Sequence, residues 1–177
     1  MAHIKISIIA GIIMAFPYII FEIWKFIKPA LYPHEIKAIK GVVFYTSLLF
    51  LIGILFGYYI ITPMSINFLG NYKVSESVAN EINLMSYVST VTSVTLATGI
   101  VFELPIFILF LSKINLVTPE FLKKYRRHAI ILILIFAAII TPPDVFSQIL
   151  VSIPMMILYE VSILISKKVQ KNNKLAG

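Results

Sequence analysis

Long apolar runs separated by short charged segments form the pattern of this chain. A helix needs about 20 largely apolar residues to cross a bilayer, and none of the runs alternates with the period of a lipid-facing β-strand. The pattern therefore predicts an all-α fold, a polytopic helical membrane protein in which residues 1–177 form one transmembrane domain. Five spans are predicted, at residues 6–24, 41–61, 87–111, 129–141 and 145–166.

The last two predicted spans form a short helical pair. The fourth run has about a dozen apolar residues, roughly 18 Å of helix, which is less than the bilayer core of about 30 Å. Pro142 and Pro143 end it, and Asp144 is predicted to cap the next helix. A re-entrant hairpin is one alternative, and we favour two short spans that thin the bilayer.

The charge distribution predicts topology. The chain has a net charge of +7 and only 13% charged residues, and its lysines and arginines cluster beside the apolar runs, as in cytoplasmic loops. This clustering argues against nucleic-acid binding. It places residues 22–40, residues 112–128 and the C-terminal tail inside, and the polar segment Thr62 to Ser86 outside as a loop. The first helix would then begin outside, so we expect one further helix before it.

Enzymatic chemistry finds no support in the sequence. The chain has no cysteine, one aspartate and three scattered histidines, and it contains no nucleophile, zinc or phosphate-binding motif. We therefore predict no enzyme activity, no cofactor and no metal site.

The segment from Phe21 to Lys40 is unusual for a cytoplasmic connector. Glu22 and Glu35 lie among aromatic residues, lysines and two prolines. One interpretation is a solvated loop whose acids pair with neighbouring lysines. The other is a rigid, aromatic-walled platform whose carboxylates receive a cationic partner.

Three further features stand out within the spans. Glu103 lies midway along the third span, where an acid is costly unless it is protonated, paired or facing water. It either hydrogen-bonds a Ser/Thr-rich helix face or serves a function, such as contact with a partner helix or a proton-coupled step. Glu160 is expected to pair with the tail near Lys167. Gly53 and Gly57 predict close packing between helices.

Four stretches together resemble the TatC subunit of the twin-arginine protein translocase. They are Phe21 to Glu35 (FEIWKFIKPALYPHE), Val101 to Pro105 (VFELP), Thr118 to Arg127 (TPEFLKKYRR) and Thr141 to Gln148 (TPPDVFSQ). They follow the family's order and spacing and cover nearly the whole chain. The family has six spans and the resemblance begins inside the second, so the first helix is expected to be absent.

The resemblance implies a receptor that binds twin-arginine signal peptides and exports folded proteins using the proton gradient of the inner membrane. It implies that Glu35 and Phe26, with Glu22 nearby, bind the signal peptide. It also implies that Glu103, Thr141 and Gln148 contact TatA- and TatB-type single-span partners, and that the chain self-associates. The alternative from the residues alone is a proton-coupled small-solute transporter that uses Glu103.

Overall fold

The chain forms helices in every region that can be described. The computed structural model describes residues 2–27, 39–71, 83–141 and 145–176, and it contains no strand in these ranges. The helices, in chain order, are α1 (Ala2–Ile27), α2 (Ile39–Phe56), α3 (Thr62–Asn71), α4 (Leu84–Phe102), α5 (Leu104–Lys113), α6 (Pro119–Lys124), α7 (Arg126–Ile140) and α8 (Val145–Ala176).

Four helical stretches of the described ranges are long and apolar enough to cross a membrane. They are Ala2–Phe26, Gly41–Phe68, Leu84–Lys113 and Gln148–Lys171. The predicted class, an all-α polytopic membrane protein, is confirmed. Helix α7 has 15 residues, about 22 Å at 1.5 Å per residue, so its membrane crossing stays a prediction.

The second span continues where the sequence predicted a loop. A π-helical segment, Gly57–Ile61, joins α2 directly to α3, and the N–H of Thr62 donates to the carbonyl of Gly57. The predicted loop is therefore wrong for residues 62–71, which are helical, and for residues 84–86, which belong to α4. The physical reason lies at Pro63, which has no N–H and would clash with the Tyr59 carbonyl in a regular α-helix. A wider π turn at this point accommodates Pro63 and lets the helix go on.

Helix α2 and the π segment that continues it approach α4 closely along a small-residue face. A Cβ built on Gly57 would lie 3.0 Å from the Cα of Thr95, and one built on Gly53 would lie 2.9 Å from the Cα of Gly99. No side chain fits at either position without a shift. The predicted close packing at Gly53 and Gly57 is confirmed, and its partner is α4.

The hydrophobic core lies where α4, α5, α7 and α8 meet. Helix α8 packs against both α5 and α7. Apolar side chains from these helices, the π segment and α6 form one buried cluster, made of Ile61, Val94, Ile108, Leu122, Ile133, Ala137, Val151, Met155, Tyr159 and Ile163. The core therefore holds α7 and the long α8 against the α4–α5 unit.

Candidate functional site

The C-terminal turns of α1 carry two of the predicted signal-peptide residues. Trp24 is buried, with 5% of its surface exposed, and its ring meets Phe110 of α5 edge to face at 6.2 Å. This contact orients the end of α1. On the outer side of the helix, Phe26 is 87% exposed, and Glu22 pairs with Lys25 at 3.5 Å.

Glu22 and Phe26 share one face of α1, because residues four apart in a helix are neighbours. The Glu22–Lys25 pair is exposed on both sides, and exposed pairs of this kind contribute about 0–1 kcal/mol. An incoming cation could therefore displace Lys25 at small cost. The arrangement presents a carboxylate next to an uncovered aromatic ring.

Several predicted residues lie outside the described ranges. Glu35, the central residue of the predicted platform, falls in the segment 28–38, and Pro142, Pro143 and Asp144 fall in the segment 142–144. The predicted roles of these residues remain predictions. Of the residues predicted to bind the signal peptide, Glu22 and Phe26 lie within the described ranges.

Glu103 marks a break in the third span. It ends α4 and precedes α5, and its carbonyl accepts hydrogen bonds from the N–H groups of Ile106 and Phe107, both at 3.0 Å. Pro105 follows within the first turn of α5, which is the position where a helix tolerates proline. The predicted continuous span is thus two helices, with the acid at their junction.

The carboxyl group of Glu103 is poorly satisfied. Its Oε1 atom is buried and has no hydrogen-bond partner in the part of the chain that the structure describes, and the backbone of Phe50 lies beside the group. The hydroxyl groups of Thr92 and Thr98 donate to carbonyls of their own helix, at 2.7 Å each. The Ser/Thr-rich face therefore does not satisfy Oε1.

Thr141 and Gln148 both use their polar groups within the α7–α8 pair. The hydroxyl of buried Thr141 donates to the carbonyl of Ala137 at 2.8 Å. The Nε2 of Gln148 donates to the carbonyl of Leu134 at 3.1 Å, which ties α8 to α7.

Glu160 does not pair with the tail as the sequence suggested. Its carboxylate forms a salt bridge with Arg126 at the start of α7. The prediction of a pair with Lys167 is wrong because α7 and α8 pack side by side. This packing brings Arg126, which precedes Glu160 by 34 positions in the chain, closer to Glu160 than Lys167, which follows it by seven.

Three long-range hydrogen bonds had no signal in the sequence. Lys5 donates to Ser89 at 2.6 Å, Tyr159 donates to the carbonyl of Leu122 at 2.8 Å, and Ser112 donates to Ser166 at 2.7 Å. Each joins helices far apart in the chain, so no local pattern could reveal them. Among the described residues, no group of three or more His, Cys, Asp or Glu side chains could hold a metal ion.

Comparisons with known proteins point to one family. The family model described as Sec-independent protein translocase protein (TatC) matches residues 1–154. The Sec-independent protein translocase protein TatC of Blattabacterium sp. subsp. Periplaneta americana is 48% identical over 163 residues, covering 92% of this chain and 61% of that protein. A Helicobacter pylori protein of the same name is 46% identical over 169 residues, covering 96% of this chain and 66% of that protein.

A solved structure agrees with the sequence comparison. The crystal structure of a protein described as Twin Arginine Translocase Receptor- TatC superposes with a TM-score of 0.75 at 38% identity, covering 96% of this chain and 74% of that one. The chain spans a little under two thirds of the length of the two relatives above. The chain belongs to the TatC family of Sec-independent protein translocases, whose members are translocase components and not enzymes.

Proposed function

We propose that this chain acts as a receptor subunit of a twin-arginine translocase, binding twin-arginine signal peptides at the cytoplasmic face of the inner membrane. Folded cargo would then be exported with energy from the proton gradient. Membership of the TatC family supports this proposal, and so does the similarity to a solved protein that is itself described as a twin arginine translocase receptor. In this orientation the basic segments and the C-terminal tail lie inside.

The observation that carries the proposal is the exposed Glu22–Phe26 face at the end of α1. A guanidinium group can bind a carboxylate with two parallel hydrogen bonds and can also stack on an aromatic ring, which an ammonium group does less well. Phe26 is almost fully exposed beside the weakly paired Glu22. With Glu35 supplying a second carboxylate, this face would accept two adjacent arginines.

Partner subunits would bind at the membrane-embedded polar groups. Glu103 offers a carboxyl oxygen that lacks a partner within the described structure. Gln148 offers its side-chain carbonyl, and Thr141 lies at the same end of the α7–α8 pair. Single-span TatA- and TatB-type helices carrying a polar side chain could satisfy these groups, because hydrogen bonds between helices are a main source of association in lipid.

Site-specific crosslinking tests the signal-peptide site. The chain has no native cysteine, so Ile23→Cys, at an exposed position three residues before Phe26, gives a unique label. Membrane vesicles containing this variant are treated with a synthetic signal peptide that carries a crosslinker and either an Arg-Arg or a Lys-Lys pair. We expect crosslinking to the Arg-Arg peptide to exceed that to the Lys-Lys peptide by about tenfold or more, the ratio that 1.4 kcal/mol of extra affinity gives.

Carboxylate substitutions on the same background assign the roles. Glu35→Gln and Glu22→Gln should each reduce crosslinking to the Arg-Arg peptide. Glu160→Gln is the matched control, because Glu160 is also partly exposed but pairs with Arg126, and it should leave crosslinking unchanged. Equal labelling by the two peptides, or an equal loss in all three variants, would contradict the proposal.

A further inference from the structure

A groove between α7 and α8 opens beside the Arg126–Glu160 salt bridge. It encloses about 350 Å³ and is lined by Arg126, Glu160 and the largely apolar side chains Ile130, Ile133, Met156, Ile157 and Tyr159. The lining residues are polar at one end and aliphatic at the other. Their order along α7, from Arg126 to Ile133, spans about 10 Å of helix.

A hydrogen bond beside the polar end of the groove ties α6 to α8. The hydroxyl of Tyr159 donates to the carbonyl of Leu122, and Leu122 is buried in the core. This bond holds α6 against α8 at Tyr159, which lines the groove. The groove therefore runs inward from the basic end of α7 along the two helices that form its walls.

Exposed cations lie next to Arg126, the basic lining residue at that end of the groove, in the chain. Lys123, Lys124 and Arg127 lie within three residues of Arg126 and are exposed. Lys124 contacts the ring of Tyr125, at 5.8 Å. Counting Glu120 and Glu160 as acids against Lys123, Lys124, Arg126 and Arg127, the segment beside this end of the groove keeps an excess of positive charge.

We propose that the groove binds one anionic phospholipid, with an acyl chain along Ile130, Ile133 and Ile157 and the phosphate group at Lys123, Lys124 and Arg127. Charge complementarity selects this occupant. Basic clusters at the ends of membrane helices attract anionic headgroups, and basic pockets between such helices bind them. A neutral lipid would fill the apolar part and gain nothing from the cations. This site lies on other helices than the proposed signal-peptide face of α1.

Lipid-dependent stability of the whole 177-residue chain tests the proposal. The protein in detergent is titrated with phosphatidylglycerol, with phosphatidylcholine or with inorganic phosphate, and its melting temperature and its retained lipid by native mass spectrometry are followed. We expect a saturable rise in melting temperature and one retained lipid for phosphatidylglycerol. Neither phosphatidylcholine nor phosphate should reproduce both effects.

Two variants with matched controls separate the charge from the groove. Lys123→Gln/Lys124→Gln/Arg127→Gln should weaken the apparent affinity for phosphatidylglycerol by about a hundredfold, while Lys167→Gln/Lys168→Gln/Lys171→Gln, with the same charge change on the tail, should retain it. Ile157→Trp fills the groove without a charge change and should also weaken binding. Ile131→Trp, at a similarly exposed position of α7 that does not line the groove, should not.

Several results would overturn the proposal. An equal response to phosphatidylcholine would mean that only the apolar surface matters, and a full response to inorganic phosphate would indicate a free-anion site. Equal losses in the two triple variants would indicate diffuse attraction to total charge. An unchanged affinity in Ile157→Trp would place the acyl chain elsewhere.

Discussion

Gly53 of α2 lies directly against Gly99 of α4, so that a Cβ built on Gly53 would come within 2.9 Å of the Gly99 Cα. In lipid, where the hydrophobic effect gives no driving force between helices, such close backbone contact is a main source of helix association. Gly99 precedes Glu103 by about one helical turn. The spacing set by the two glycines thus brings the Glu103 carboxyl group beside the backbone of Phe50.

Substitution of Gly53 by alanine should separate α2 from α4. The added methyl group would meet the Gly99 Cα at 2.9 Å and the Phe102 Cβ at 2.8 Å, and overpacking of this kind costs about 1–3 kcal/mol. Thermal unfolding in detergent should show a lower melting temperature for Gly53→Ala. Gly41→Ala is the control, because a Cβ at Gly41 meets nothing within 4 Å, and it should be neutral or stabilising. A melting temperature for Gly53→Ala at or above that of the parent would contradict the packing.

Replacement of Glu103 by leucine should stabilise the isolated chain. Its Oε1 is buried without a hydrogen-bond partner in the described structure, and an unsatisfied buried polar group costs about 1–3 kcal/mol. Glu103→Leu should therefore raise the melting temperature in detergent while weakening any association with single-span partners. Glu160→Leu should not raise it, because that change leaves Arg126 without its carboxylate. A lower melting temperature for Glu103→Leu would mean that the carboxyl group has a stabilising partner.

The buried Ser112–Ser166 hydrogen bond should appear as a coupling energy between α5 and α8. The two hydroxyl groups are 2.7 Å apart and both residues are buried. Ser112→Ala and Ser166→Ala should each destabilise the protein, and the double variant should cost less than the sum. We expect a coupling of about 0.6–1.7 kcal/mol from the double-mutant cycle in detergent. Strict additivity would show that the bond contributes nothing.

Removal of the Gln148 amide should loosen the α7–α8 pair. Gln148→Met keeps the side-chain length but loses the donation to the Leu134 carbonyl, which should cost about 1 kcal/mol. Hydrogen exchange of the backbone amides at residues 136–140 should become faster. Gln170→Met, farther along α8 and outside this contact, is the control and should leave the exchange unchanged. Equal exchange in the two variants would show that the Gln148–Leu134 hydrogen bond does not stabilise the helix pair, which would leave the Gln148 amide for partner helices.

The helical membrane class followed directly from the sequence, for a physical reason. In lipid each backbone polar group must be satisfied within its own segment, so long apolar runs leave few alternatives to helices. Dependence on the local pattern alone also led to the wrong prediction of a loop beginning at residue 62. The polar residues after Ile61 suggested an end to the helix, whereas the π turn at Gly57–Ile61 carries the helix on to Asn71.

The candidate site could be predicted only in part. Glu22 and Glu103 stood out because an acid in an apolar chain is conspicuous by itself, whereas Phe26 was predicted only through the family resemblance. The surroundings of these residues could not be predicted from the sequence. Trp24 orients the end of α1 through its contact with Phe110 of α5, and Glu103 lies beside the backbone of Phe50 only after α2 and α4 have packed.

By itself, therefore, the sequence determined the class of the fold, the approximate helices and the family, because these depend on composition, on period and on short motifs. Only the tertiary structure decided which polar groups find partners. Arg126 forms a salt bridge with Glu160, and hydrogen bonds join Ser112 to Ser166 and Gln148 to the Leu134 carbonyl. The Oε1 of Glu103 has no hydrogen-bond partner within the described structure. Each outcome depends on the distance between helices remote in the chain, which close contacts such as Gly53 to Gly99 set and which no local pattern encodes.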